Sequence, residues 1–66
     1  MKKYRIYKDE ENLVATFEEN EKDAAMAKLD ELTDWSNSTY DTPAEFWEEC
    51  GTDSISYKGY TLELGE

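Results

Sequence analysis

The chain has 66 residues, of which 17 are acidic and 7 basic, so its formal net charge at pH 7 is -10, and it contains no histidine. This length allows one small domain, and such acidity excludes the usual basic nucleic-acid-binding protein, which neutralises phosphates with Lys and Arg. No apolar run approaches the roughly 20 residues of a membrane-spanning helix, and a single cysteine excludes a disulfide scaffold. Two Trp, five Tyr and two Phe supply apolar surface for a core, so we expect residues 1–66 to form a single folded domain with an acidic shell.

Residues 2–18 have the alternation of a β-hairpin. From Lys3 to Lys8, and again from Leu13 to Glu18, side chains suited to one face of a strand alternate with side chains suited to the other. The polar cluster Asp9–Asn12 separates the two runs. The expected inner face consists of Tyr4, Ile6, Leu13, Ala15 and Phe17.

The next stretch, about 21–34, is predicted to be a helix. Asn20 is a favourable N-cap, and Glu21 and Asp23 place negative charge in the first turn, where the helix dipole favours it. Apolar residues recur at helical spacing, and the expected buried stripe is Ala25, Met26, Leu29 and Leu32. The expected outward row is Asp23, Ala27, Asp30 and Asp34, with Glu31 beside it.

A second, short helix is predicted over about 43–50. Thr42 is the expected cap, Pro43 suits the first helical position, and Glu45 would complete a capping box. Gly51 is the expected C-terminal stop. The inner stripe is predicted to be Phe46, Trp47 and Cys50, while Glu45, Glu48 and Glu49 face water.

The last segment, about 54–64, is predicted to be a second hairpin that turns at Lys58-Gly59. This register sets Tyr57 opposite Tyr60, and it brings all apolar side chains of the segment to one face. The whole chain is therefore predicted to be an α+β domain, β-hairpin–α–α–β-hairpin, with an antiparallel sheet that has both helices on one face. Whether the hairpins join within one chain or across a dimer stays open.

The residue types argue against an enzyme. Without histidine the chain lacks the usual general base, and its three glycines form no phosphate-binding loop. Cys50 follows two glutamates at a helix C-terminus, where negative charge disfavours a reactive thiolate, so we interpret it as a small buried hydrophobic side chain. We expect no catalytic residues and no cofactor.

One stretch has the spacing of a calcium-binding loop. The six EF-hand ligand positions would be Asp34, Ser36, Ser38, Tyr40, Thr42 and Glu45. However, Thr39 stands where the sharp turn needs Gly, and the helix cap already explains Pro43 and Glu45. We expect no metal site, with calcium binding as the alternative.

The surplus of acidic residues has two interpretations. A charged shell keeps a small domain soluble; alternatively, carboxylates spaced along a helix imitate the phosphates of a nucleic acid and occupy a basic groove of another protein. Trp35 and Tyr40 stand among small polar residues, as in a recognition loop, but for Trp35 we favour the alternative that it folds back on the core. We expect Tyr40 to be exposed. The candidate partner-binding residues are Asp23, Asp30, Glu31, Asp34, Trp35, Tyr40, Glu45, Glu48 and Glu49.

The chain resembles a class of small acidic proteins. The pattern Tyr4-Arg5-Ile6-Tyr7-Lys8-Asp9, then Leu13–Phe17, then the helix of Ala25, Leu29 and Leu32 resembles the opening of many small phage and mobile-element proteins. In size and charge the whole chain resembles the class that includes anti-CRISPR and anti-restriction inhibitors. The resemblance carries over no functional residue. It implies a non-enzymatic, stoichiometric inhibitor of a host defence complex that handles nucleic acid.

The expected partner is therefore a larger basic protein or ribonucleoprotein complex, with no direct binding to nucleic acid or membrane. The alternative is a homo-oligomeric structural or assembly protein of a phage or mobile element, because a strand face with Lys3, Arg5 and Tyr7 can meet an acidic patch of a second copy. A lone cysteine, and a basic start without a following apolar stretch, predict a cytoplasmic protein in a bacterial host.

Overall fold

The computed structural model describes residues 2–66, and it shows an α+β fold with two hairpins. Strands β1 (Lys3–Lys8) and β2 (Asn12–Glu18) form the first hairpin, and β3 (Ser54–Tyr57) and β4 (Tyr60–Gly65) form the second. The strand order is β2-β1-β4-β3, and every neighbouring pair is antiparallel. Because β1 pairs with β4 along its whole length, the two hairpins join within one chain.

Two helices lie between the hairpins in the chain, α1 (Lys22–Thr33) and α2 (Pro43–Cys50). Both pack on the same face of the sheet, because one buried cluster holds residues of the sheet and of both helices: Tyr4, Ile6, Ile55 and Leu62 from the sheet, and Ala25, Met26, Leu29 and Trp47 from the helices. Within residues 2–66, neither helix has the length and apolar character needed to cross a membrane.

The overall dimensions are those of an ordinary globular domain of this length despite the charge. The Cα radius of gyration is 10.8 Å, which matches the roughly 11 Å expected for a compact chain of this length. The acidic shell therefore does not expand the fold.

The predicted register of the second hairpin is confirmed. Tyr57 pairs with Tyr60 and Ile55 with Leu62, and the turn residues Lys58 and Gly59 both have positive φ, 49° and 84°. A two-residue turn with positive φ at both residues matches the right-handed twist of the two strands. Gly is favoured in such a turn because it adopts positive φ readily.

The inner face of the first hairpin differs from its prediction at Leu13. A register shift between Ile6 and Tyr7 pairs Ile6 with Ala15 but Tyr7 with Leu13, which leaves Val14 as the extra residue of a β-bulge. Beyond the bulge the alternation is reversed, so Leu13 is 55% exposed and Val14 41% exposed. The prediction that Leu13 lies in the core is therefore wrong, whereas Ala15 packs against the core as expected.

The start of α1 also differs from its prediction. A 3-10 turn, Glu19–Glu21, precedes the helix, so Asn20 lies inside that turn and is not the N-cap. The carboxylate of Glu21 accepts a hydrogen bond of 2.8 Å from the backbone N–H of Glu18, and this contact closes the turn. At the other end Thr33 is buried, with its hydroxyl donating to Leu29 O at 2.7 Å.

The limits of α2 are those predicted. Thr42 Oγ1 accepts from the backbone N–H of Glu45 at 3.2 Å, and Gly51 ends the helix with a φ of 58°. Glu45, however, accepts from the N–H of Asp41, at 2.8 Å, one residue before the cap. The prediction that Cys50 is buried is wrong, because its thiol is exposed. Trp47 is the residue of α2 that reaches the core.

Candidate functional site

Two adjoining depressions lie on the helical side of the molecule and share Ala44. The first, here called the glutamate depression, is open and has a volume of about 510 Å³. Its walls consist of Thr39, Tyr40, Ala44, Glu45, Glu48 and Glu49. The second, here called the helix groove, has a volume of about 230 Å³. Its walls consist of Asp23, Met26, Ala27 and Asp30 of α1 with Thr42, Pro43 and Ala44.

Local hydrogen bonds hold Tyr40 at the glutamate depression. The side-chain oxygen of Asn37 accepts from the backbone N–H groups of Thr39 and Tyr40, at 2.8 and 3.1 Å, a side-chain-to-backbone turn for which Asn is well suited. The indole N–H of Trp35 donates to Tyr40 O at 3.0 Å. The loop is therefore ordered by its own polar residues.

The ring of Tyr40 is less accessible than predicted. It is half-buried, edge-on against Phe46 with the ring centroids 5.2 Å apart, and its hydroxyl lies at the surface 3.8 Å from Cys50 Sγ. The hydrogen bond to Cys50 is the largest cause that raises the pKa of Tyr40, followed by the charge of Cys50, burial and the charge of Glu49. At neutral pH Tyr40 therefore offers a neutral hydroxyl beside carboxylates.

The three glutamates of the glutamate depression have different partners. Glu48 forms an ion pair with Lys22, which joins the start of α1 to α2. Glu45 accepts the N–H of Asp41 through one oxygen. Glu49 has no ion-pair partner among residues 2–66. The depression therefore keeps negative charge available on Glu49 and on the second oxygen of Glu45.

The helix groove combines an apolar floor with acidic rims. Met26 and Pro43 are buried, and the small side chains of Ala27 and Ala44 leave the space between the helices open. Asp23 and Asp30 lie seven residues apart on the same side of α1, which corresponds to about 10 Å along the helix axis.

Three predicted site residues line neither depression. Glu31 pairs with Lys28 at 3.9 Å, and Asp34 follows the end of α1 with a φ of 50° and so does not continue the helical row. Trp35 is half-buried, 4.5 Å from the ring of Tyr57 and 6.2 Å from that of Phe46 between centroids. It therefore folds back on the core, as expected from the sequence. The six residues that the structure brings together are Asp23, Asp30, Tyr40, Glu45, Glu48 and Glu49.

The sequence reasoning missed the apolar part of the site. It placed Ala27 in the outward row but did not place Pro43 or Ala44 opposite it, because that juxtaposition depends on how α1 packs on α2. The ion pair between Lys22 and Glu48 was missed for the same reason, since 26 positions separate the two residues.

The two depressions combine carboxylates, an aromatic hydroxyl and apolar side chains. Among residues 2–66, no group of three or more His, Cys, Asp or Glu side chains is placed to hold a metal ion. Carboxylates beside an aromatic hydroxyl and an apolar floor suit cationic side chains that carry apolar stems.

Comparison with known proteins found no match to this chain among protein-family models, curated proteins or solved structures.

Proposed function

We propose that this chain is a non-enzymatic binding protein whose helical side occupies and blocks a basic, nucleic-acid-handling surface of a larger protein or ribonucleoprotein complex. The observation that supports the proposal most directly is the clustering of unpaired carboxylates around two adjoining depressions. Asp23, Asp30 and Glu49 have no ion-pair partner among residues 2–66. Asp23 and Asp30 border the apolar floor of the helix groove, and Glu49 lines the adjoining glutamate depression.

The distribution of bases supports the same surface. Lys3 and Arg5 lie on the sheet face away from the helices, where Lys3 pairs with Glu18 and Arg5 donates to Gly65 O. On the helical side Lys22 and Lys28 each neutralise one glutamate. A basic partner is therefore attracted to the helical side, and this attraction weakens as salt rises.

The test captures partners from a bacterial lysate with the tagged chain at low and moderate salt. The site variant is Asp23→Asn, Asp30→Asn, Glu45→Gln and Glu49→Gln. The control variant is Glu10→Gln, Glu11→Gln, Asp53→Asn and Glu66→Gln, which removes the same charge away from both depressions.

We expect the site variant to bind the captured protein about tenfold more weakly than the control variant, because about 0.35 kcal/mol from each of the four exposed charges gives this factor. An oligonucleotide should compete with the wild-type chain for that protein. Equal losses in both variants would contradict the proposal, as would capture that the oligonucleotide does not affect.

A second candidate function, homo-oligomeric assembly, is favoured by one observation. Leu13 and Val14 are the exposed large hydrophobic residues of the described chain, and both lie on β2, an edge strand. Edge strands with exposed apolar residues can pair with a second chain. A mass equal to one chain throughout the micromolar range, measured by light scattering, would exclude this function. A dimeric mass that Leu13→Glu abolishes would support it.

A further inference from the structure

We infer that the helix groove receives one apolar side chain from a helical segment of the partner, and that this side chain stands between two basic residues that pair with Asp23 and Asp30. The inference rests on the proposed function, because it specifies which element of a basic partner is bound.

The helix groove is small and has an apolar floor. Its volume of about 230 Å³ is floored by Met26, Ala27, Pro43 and Ala44. A floor with two alanines allows another backbone to approach closely, and the buried apolar atoms below it favour an apolar occupant over water.

The rims of the helix groove carry negative charge. The two lysines that α1 carries are engaged elsewhere, Lys22 with Glu48 and Lys28 with Glu31. Asp23 and Asp30 have no ion-pair partner among residues 2–66, and both line the groove. The groove is therefore apolar in its centre and negative at both ends.

The spacing of the two aspartates matches the rise of a helix. Asp23 and Asp30 are about 10 Å apart along α1, a rise that any helix covers in seven residues. A helix that lies along α1 with basic residues at i and i+7 therefore sets one base against each aspartate. When that helix runs parallel to α1, its residue at i+4 faces Ala27 and enters the groove, whereas its residue at i+2 points to the opposite side.

The experiment uses two alanine-based helical peptides of identical composition and charge. Each has Lys at i and i+7; the matched peptide has Leu at i+4, and the isomer has Leu at i+2. Binding to the full chain is followed by amide chemical shifts in two-dimensional NMR. Two double variants, each with two charges fewer, test the rims: Asp23→Asn with Asp30→Asn, and Glu31→Gln with Asp34→Asn outside the groove.

We expect the matched peptide to bind about fivefold more tightly than the isomer, because partial burial of one Leu supplies this difference. The largest shifts should fall on the amides of Ala27 and Ala44. The groove variant should lose about fivefold in affinity for the matched peptide, and the outer variant less than twofold.

Equal affinities of the two peptides would overturn the inference, as would equal effects of the two variants. Shifts at the same amides on raising the protein concentration without peptide would assign the groove to a second copy and would also overturn it. If both peptides bind equally and salt weakens both, the inference about the groove fails but the proposed function does not. The proposed function is tested separately, by capture from the lysate.

Discussion

Replacing Trp35 by Phe tests whether one indole hydrogen bond holds the loop that carries Tyr40. The indole N–H donates to Tyr40 O at 3.0 Å from a half-buried position. Phe keeps an aromatic ring near Tyr57 and Phe46 but removes the donor. A hydrogen bond of this kind contributes about 1 kcal/mol net, and the smaller ring loses a further fraction of the aromatic contact. We therefore expect Trp35→Phe to lower the free energy of unfolding by about 1–2 kcal/mol.

The assay is urea unfolding followed by circular dichroism. A domain of this size has an expected stability of about 3–10 kcal/mol, so the variant stays folded. With a slope of about 1 kcal/mol per molar urea, the midpoint should fall by about 1 M or more. Hydrogen exchange should accelerate at the amides of Thr39 and Tyr40, which Asn37 otherwise holds.

The matched variant is Tyr57→Phe. It removes the hydroxyl that donates to Ser36 O at 2.6 Å but keeps the ring beside Trp35. Because this contact is exposed, we expect a smaller loss, about 0.5 kcal/mol. A midpoint shift below about 0.3 M for Trp35→Phe, with unchanged exchange at Tyr40, would refute the anchoring role of the indole.

Three further predictions concern local features of the fold. Gly59→Ala should destabilise by about 1–2 kcal/mol in thermal unfolding because Gly59 has a φ of 84°, whereas Gly65→Ala, which meets open space without a positive φ, should change stability little. The exposed thiol of Cys50 should react stoichiometrically with a disulfide reagent in the native protein, and Cys50→Ser should cost less than about 0.5 kcal/mol. Burial, and then the charge of Glu19, raise the pKa of Tyr4. Because the pKa is higher in the native than in the unfolded protein, protonated Tyr4 contributes to the free energy of unfolding. This contribution is complete below about pH 10 and is lost as the pH rises through the native pKa. Tyr4→Phe should therefore flatten the alkaline part of the stability profile.

The features that local sequence determines were predictable. The Lys58-Gly59 turn and the limits of α2 follow from residues within three positions of one another, and the structure has them as predicted. The same holds for the predicted stripe of α1, in which Ala25, Met26 and Leu29 are buried and Leu32 is half-buried against the same core.

The features that were missed depend on contacts between distant segments or on small shifts of register. The bulge at Val14 moves Leu13 out of the core without any Gly or Pro to mark it. Cys50 belongs to the last turn of a short helix, where Trp47 and Phe46 already cover the core and leave the thiol at the rim. The helix groove exists only because Pro43 and Ala44 face α1, which no local pattern encodes.

The two interpretations of the acidic residues differ in one measurable respect, the importance of position. Self-repulsion at a net charge of -10 depends mainly on the number of charges, so both four-charge variants should unfold at a similar, slightly raised temperature at low salt. Partner binding depends on where the charges lie, so only the variant at Asp23, Asp30, Glu45 and Glu49 should lose it. If both variants gain stability equally and both keep the partner, the acidic residues serve solubility alone. If both variants gain the same stability but only the variant at the two depressions loses the partner, the total charge sets the stability and the position of the charges sets the binding.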